Sequence, residues 1–235
     1  MTSLRIDILT LFPEMLSPAL QLSILGRAAA AGLATYHLHN IRDWATDKHR
    51  SVDDRPFGGE PGMVMMAQPI YDAVTAVEAA DPAPARRILL TPQGERLEQR
   101  RVEELAGHDR LLIVAGRYEG VDERVIEVLE PLEISVGDYV TSGGEIPALL
   151  LVDAVVRLLP GVLGHEDGAA EDSFSARGEA GRRLLEGPHY TRPRVWEGRA
   201  VPEVLISGDH EAVRRWRMRM MLDRTRERRP DLLEP

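Results

Sequence analysis

The chain has 235 residues, of which 43% are hydrophobic and 5% aromatic, enough for one large core or two modest ones. Cysteine is absent, which excludes disulfides and thiolate metal sites; no apolar stretch led by Arg or Lys reads as a signal peptide, so a cytoplasmic location is expected. The net charge of -9 is uneven: residues 1–172 hold 15 basic against 28 acidic side chains, and residues 173–235 hold 14 against 10.

In chain order, Leu4 to Leu11 alternates as a strand, and a helix follows that ends near Gly32, where glycine suits the C-cap. Ala34 to Ile41 reads as the next strand, Arg42 to Gly62 as a polar loop, and Pro69 to Ala80 as a helix closed by the Asp81-Pro82-Ala83-Pro84 break. The pattern then tightens: strand Arg87 to Leu90, helix Glu95 to Ala106, strand Arg110 to Ala115, helix Asp122 to Leu129, strand Leu132 to Val136, helix Ile146 to Leu159. Alternation of this kind predicts an α/β domain with a largely parallel sheet. The last helix is apolar on every stripe, which predicts burial against a second copy or within the fold, but Asp153 and Arg157 interrupt it and it is too short to span a bilayer, so no membrane partner is expected.

Residues 161–172, rich in Gly, Ala and acids and without apolar periodicity, read as a flexible linker between a domain 1–160 and a domain 173–235. In the tail, Asp209 can cap a helix that runs through Trp216, Met220 and Leu222 to Pro230, so residues 173–235 are expected to form a small helical domain. Between Glu211 and Arg229 eight arginines face three acids. That is either a solvated helix face or the footprint of phosphate contacts, for which Arg214, Arg215 and Arg219 are the candidates.

In parallel α/β proteins, ligands bind at the loops that follow the carboxyl ends of strands. Three such loops are unusual: Thr91-Pro92-Gln93-Gly94, the stretch Ala115 to Asp122, and the stretch Val136 to Glu145. Their glycines permit close approach of backbone to a ligand, and consecutive loop amides suit a flat heterocycle, although glycine in any single loop of this kind is equally ordinary turn chemistry. No G-x-G-x-x-G, P-loop, His-Glu-x-x-His or Gly-x-Ser-x-Gly is present, which disfavours dinucleotide, nucleotide-triphosphate and common hydrolytic chemistry. His37 and His39 share a strand face but lack a third ligand, and read as ordinary residues.

Gly116-Arg117-Tyr118-Glu119-Gly120-Val121-Asp122-Glu123-Arg124, Val136-Gly137-Asp138-Tyr139 with Ser142-Gly143-Gly144-Glu145, Pro160-Gly161-Val162-Leu163-Gly164, Glu171-Asp172-Ser173-Phe174 and Pro188-His189-Tyr190-Thr191-Arg192-Pro193 occur in that order. Together with Leu11-Phe12-Pro13-Glu14 near the start and Arg228 to Leu233 near the end, they resemble the bacterial tRNA (guanine-N1)-methyltransferase family, TrmD. One departure is Glu60 in Gly58-Gly59-Glu60-Pro61-Gly62, where that family usually has a third glycine.

The resemblance implies an α/β fold of the SPOUT class with a deep trefoil knot, a homodimer, S-adenosyl-L-methionine as methyl donor, magnesium without named ligands, and tRNA as partner through its anticodon arm. It assigns donor binding to Thr91 and Pro92, to Gly116, Tyr118, Glu119 and Gly120, and to Val136, Gly137, Asp138, Tyr139, Val140, Thr141, Gly143 and Gly144. The acceptor it implies is N1 of the guanosine immediately 3′ of the anticodon, with Asp172 as base and Arg157 as charge stabiliser. For Arg157 the plainer reading is an i, i+4 ion pair with Asp153, and for Asp172 a helix N-cap or a solvated linker carboxylate. Lying at the end of the linker, Asp172 is expected to be positioned only when tRNA orders that segment. Competing functions are a ribose 2′-O-methyltransferase of the same fold and a non-catalytic RNA-binding module.

Overall fold

The computed structural model describes residues 3–164, 172–176, 178 and 181–234. The chain divides into two compact units, Met1–Gly164 and His165–Pro235.

The first unit is a three-layer α/β/α body. Its elements in order are β1 (Leu4–Thr10), α1 (Pro13–Leu20), α2 (Ser23–Ala30), β2 (Ala34–Asn40), β3 (Asp53–Asp54), β4 (Val64–Met65), α3 (Ala67–Ala79), β5 (Arg86–Arg96), α4 (Gln99–Ala106), β6 (Arg110–Ala115), α5 (Glu123–Leu129), β7 (Leu132–Ser135) and α6 (Glu145–Val156). Five strands form one parallel sheet in the order β2-β1-β6-β5-β7. Alternate residues of β6 enter opposite cores: Leu111 and Ile113 join Leu16, Leu105 and Leu151 on one face, while Leu112 and Val114 join Ile70, Val74 and Val125 on the other. Both faces being covered, the central strand is apolar almost throughout, as parallel sheets require.

Several expected boundaries move for physical reasons. The single helix expected up to Gly32 is two, broken at Gln21-Leu22; a Cβ on Gly26 would lie 2.2 Å from the Gln21 carbonyl oxygen, so the break depends on glycine at this close approach. The polar loop 42–62 contains the end of a short 3-10 helix, Ile41–Trp44, and β3, which pairs with β4. Thr91 to Gly94 is not a turn from strand to helix. It is a bulge within β5, which pairs with Ile134 of β7 at Leu90 and again at Glu95, so α4 starts at Gln99 rather than Glu95. The last helix of the unit ends at Val156, three residues early, and continues as turns.

His39 donates to the Asp7 carboxylate at 2.9 Å and meets Trp44 edge-on at 6.3 Å, in keeping with an ordinary structural histidine.

The second unit contains α7 (His210–Arg228), whose N-cap Asp209 accepts from the Glu211 and Ala212 amides at 3.0 and 2.9 Å as expected. It is not wholly helical, because a two-stranded antiparallel hairpin, β8 (Val195–Trp196) and β9 (Arg199–Ala200), precedes α7. Residues 165–171 of the expected linker lie outside the described residues.

Candidate ligand cleft

Because β6, β5 and β7 are neighbours and parallel, their carboxyl ends open on one edge of the sheet, and a cleft of about 450 Å³ lies there. All the residues expected to hold a donor line this cleft except Gly137 and Asp138, which belong to the same loop as their neighbours that do. Gln93, Arg117, Glu123 and Ser135 also line it and are not among the residues expected to hold the donor. Arg117 and Glu123 stand inside the motif that carried the resemblance, so their position beside Gly116 and Asp122 was the available signal.

The loops are locked by backbone contacts. The Gly144 amide donates to the Gly116 carbonyl at 2.7 Å, and a Cβ on Gly144 would lie 2.7 Å from the Ala115 Cα, so only glycine lets the third loop sit against the second. Glu119 and Asp122 donate through their amides to Met63 and Met65 at 2.9 and 3.0 Å, and Met65 donates to Gly120 at 2.9 Å, which binds the second loop to β4. Between these anchors Tyr118 adopts φ +60, a left-handed conformation that costs of order 1–3 kcal/mol and is typical of ligand-holding loops. Burial, and then a hydrogen bond with Asp53, push the Tyr118 hydroxyl above its ordinary pKa. Gly137 has φ +153, and the Ser135 hydroxyl donates to its carbonyl at 3.0 Å.

Under the cleft runs a buried polar relay. The Thr10 hydroxyl donates to Glu145 at 2.8 Å, and Arg117 donates to the other oxygen of the same carboxylate at 2.9 Å. The Arg117 guanidinium also stacks 4.5 Å from the Phe12 ring centroid. Glu145 lies in the first turn of α6, where a carboxylate is favoured by the helix dipole.

The two residues expected to carry chemistry are not in this lining. Arg157 follows the last turn of α6, while Gly144 precedes the first, which puts the two about 20 Å apart along the helix axis. Its amide donates to the Asp153 carbonyl at 3.2 Å. In the second unit, the Asp172 carbonyl accepts from the Ser175 and Ala176 amides at 3.1 and 3.0 Å, so it heads a turn and not a helix, and the N-cap reading gives way to a turn. The Phe174 amide in that turn donates to the Leu184 carbonyl at 2.8 Å, the Leu184 amide donates to the Ala176 carbonyl at 3.0 Å, and the Phe174 ring lies 5.6 Å beneath the Arg229 guanidinium.

On α7, Arg214, Arg215 and Arg219 are all exposed, and Arg215 is ion-paired with Glu211 one turn back. Among the described residues no group of three or more His, Asp or Glu is placed to hold a metal ion, and no helix is long and apolar enough to cross a membrane.

A family model described as tRNA (Guanine-1)-methyltransferase TrmD matches residues 4–235. The chain is 54% identical to a protein of Halorhodospira halophila over 98% of this chain and 85% of that one. It is 53% identical to a protein of Rhodopirellula baltica, over 98% and 94% of the two chains. A protein of Pseudomonas putida strain W619 is also 53% identical, over 100% of this chain and 91% of its own. All three are described as tRNA (guanine-N(1)-)-methyltransferases.

Proposed function

Because the chain belongs to the tRNA (guanine-1)-methyltransferase TrmD family, we propose that it methylates N1 of a tRNA guanosine, the one immediately 3′ of the anticodon, with S-adenosyl-L-methionine as donor. The observation that carries this reading is the convergence of the three glycine-bearing segments on one cleft at the carboxyl edge of the sheet.

The cleft fits the donor on its own chemistry. Its lining mixes apolar faces from Leu89, Pro92, Ile134 and Pro147 with loop backbone, which suits an adenine ring, and adds the carboxylates of Glu119 and Glu123, which suit a cation. S-adenosyl-L-methionine would supply a sulfonium methyl there. The trefoil knot of the SPOUT class is part of this proposal and rests on the family resemblance.

Guanine N1 carries a proton near neutral pH, so its attack on a methyl needs a base, and the charge left behind falls partly on O6. Asp172 takes the proton and Arg157 balances O6. Arg157 stands a helix length from the cleft of its own chain, so this role is met in a homodimer, where a second copy brings it to the acceptor. Exposed Ile146 and Leu150, four residues apart on α6, with Met15 of the neighbouring α1, offer the apolar surface for that association. Residues 173–235 hold the tRNA, with the exposed arginines of α7 on its phosphates. No step is assigned to magnesium, for which the described residues supply no cluster of ligands.

Incubating the purified protein with labelled donor and an unmodified tRNA transcript, followed by nucleoside analysis, tests the reading. It expects 1-methylguanosine at that one position. A 2′-O-methylnucleoside would reassign the acceptor, and an absence of both donor binding and product would leave an RNA-binding module.

A further inference from the structure

The β8–β9 hairpin of the second unit has an unusual surface. Every residue from Thr191 to Ala200 is exposed, including Trp196 at 62% and Val195 at 56%. A two-stranded ribbon is marginal by itself, and this one leaves a large indole in water. Its shape is nevertheless well defined: Val195 pairs with Ala200 and Trp196 with Arg199, the Val201 amide donates to the Arg194 carbonyl at 2.9 Å, and Glu197 and Gly198 adopt φ of +49 and +74, as a two-residue hairpin turn with both central residues left-handed requires.

Directly paired residues of an antiparallel ribbon share a face, so the turn presents the Trp196 indole and the Arg199 guanidinium side by side. Arg194 is committed to Glu203, with one nitrogen 2.9 Å from both carboxylate oxygens, whereas Arg199 has no ion pair among the described residues. Around the turn, Arg192, Arg194 and Arg199 face Glu197 alone, a local basic excess on a chain of net charge -9. An aromatic face beside an uncommitted guanidinium matches one nucleotide, base against indole and phosphate against cation.

We propose that this hairpin docks an unpaired nucleotide of the RNA substrate, with Trp196 stacked on the base and Arg199 on the adjoining phosphate; this rests on the chain being a tRNA methyltransferase. A base inside a duplex offers no free face, so the nucleotide belongs to a loop.

The test uses the full chain and an unmodified tRNA transcript. Trp196→Ala raises KM for tRNA about tenfold, the scale of one lost base stack, with the effect on KM rather than kcat and with donor KM unmoved. Trp196→Phe, which keeps an aromatic face, recovers most of the loss. In a protein with Trp196 as its sole tryptophan (Trp44→Phe, Trp216→Phe), tRNA quenches the emission saturably. An unchanged KM in Trp196→Ala overturns the proposal. So does emission that is already shielded without tRNA and indifferent to it, which would mean that a second copy covers the hairpin. If the wild-type protein makes no 1-methylguanosine, the functional reading fails and this inference with it; if it does and the Trp196 variants are silent, only the inference fails.

Discussion

Arg117 and Glu145 form an ion pair at 2.9 Å that joins the loop after β6 to the first turn of α6, with the Glu145 side chain 1% exposed and that of Arg117 19%. The same carboxylate receives the Thr10 hydroxyl. Replacing Glu145 by Ala leaves two donors without their acceptor beneath the cleft. We expect a loss of about 2–4 kcal/mol in denaturant unfolding, below the full cost of a buried broken pair because Arg117 keeps some water. Glu145→Gln retains an acceptor for Thr10 and should lose less. Equal losses for the two variants would show that the charge on Glu145 is immaterial.

Gly144→Ala forces a Cβ within 2.7 Å of the Ala115 Cα, a backbone atom that cannot swing aside. Calorimetry should find donor affinity down at least tenfold and stability lower by about 1–3 kcal/mol, the range for overpacking. Gly164, whose Cβ would meet nothing within 4 Å and whose φ is not in the left-handed region, serves as the control, and Gly164→Ala should bind donor as wild type does.

Acid stability should depend on Asp7. Burial alone would raise its pKa, but hydrogen bonds with His39, Arg5 and Arg110 outweigh burial and hold the carboxyl well below the usual carboxylate range. Arg110, itself fully buried, also donates to the carbonyls of Val77, Asp81 and Ala83. The unfolded carboxyl titrates at about 3.9, so the stabilisation is complete above that pH and drains away as pH falls toward the folded value. Urea unfolding between pH 2 and 7 should therefore show stability falling from roughly pH 4 downward. Asp7→Asn should flatten that dependence and cost about 3 kcal/mol at neutral pH, where Arg110 is left without its counter-charge. An unaltered pH slope in the variant would assign acid lability to other carboxylates.

Asp172→Asn separates a base from a structural carboxylate. The turn at 172 uses the backbone carbonyl, which Asn retains, so folding and the binding of tRNA and donor should hardly change. Single-turnover methyl transfer should fall roughly a hundredfold or more and recover in part as pH rises toward ionisation of guanine N1 itself. Near-wild-type transfer at neutral pH would remove Asp172 from the mechanism.

Reversing Arg214 and Arg219 together should reduce the dependence of tRNA affinity on salt, with a slope in log K against log[salt] smaller by about two. Arg215, already paired with Glu211, should contribute less than either. A slope that does not move would place the RNA surface away from this part of α7.

Much of this was legible along the chain because it is written in local physics. Strand β6 is legible to the residue, since Leu111 to Ala115 is an apolar run opened by Arg110 and closed by Gly116, and both its faces are buried. Asp209 announced α7 because a side-chain cap needs only the next turn of its own backbone. The β8–β9 hairpin leaves only a faint signal, the Glu197-Gly198 turn, because each strand has only two residues. What the sequence could not decide depends on contacts distant in the chain. Whether Thr91 to Gly94 ends a strand or bulges from it is settled by Ile134, some forty residues on, which pairs on both sides of the bulge. Gly94 and Gly144 are simply glycines until β7 and Ala115 arrive within 3 Å of where a Cβ would be. The resemblance implies a role for Arg157 near the end of a helix that the sequence already shows, but that the cleft opens at the opposite end of α6 is decided only when the loops after β5, β6 and β7 come together there.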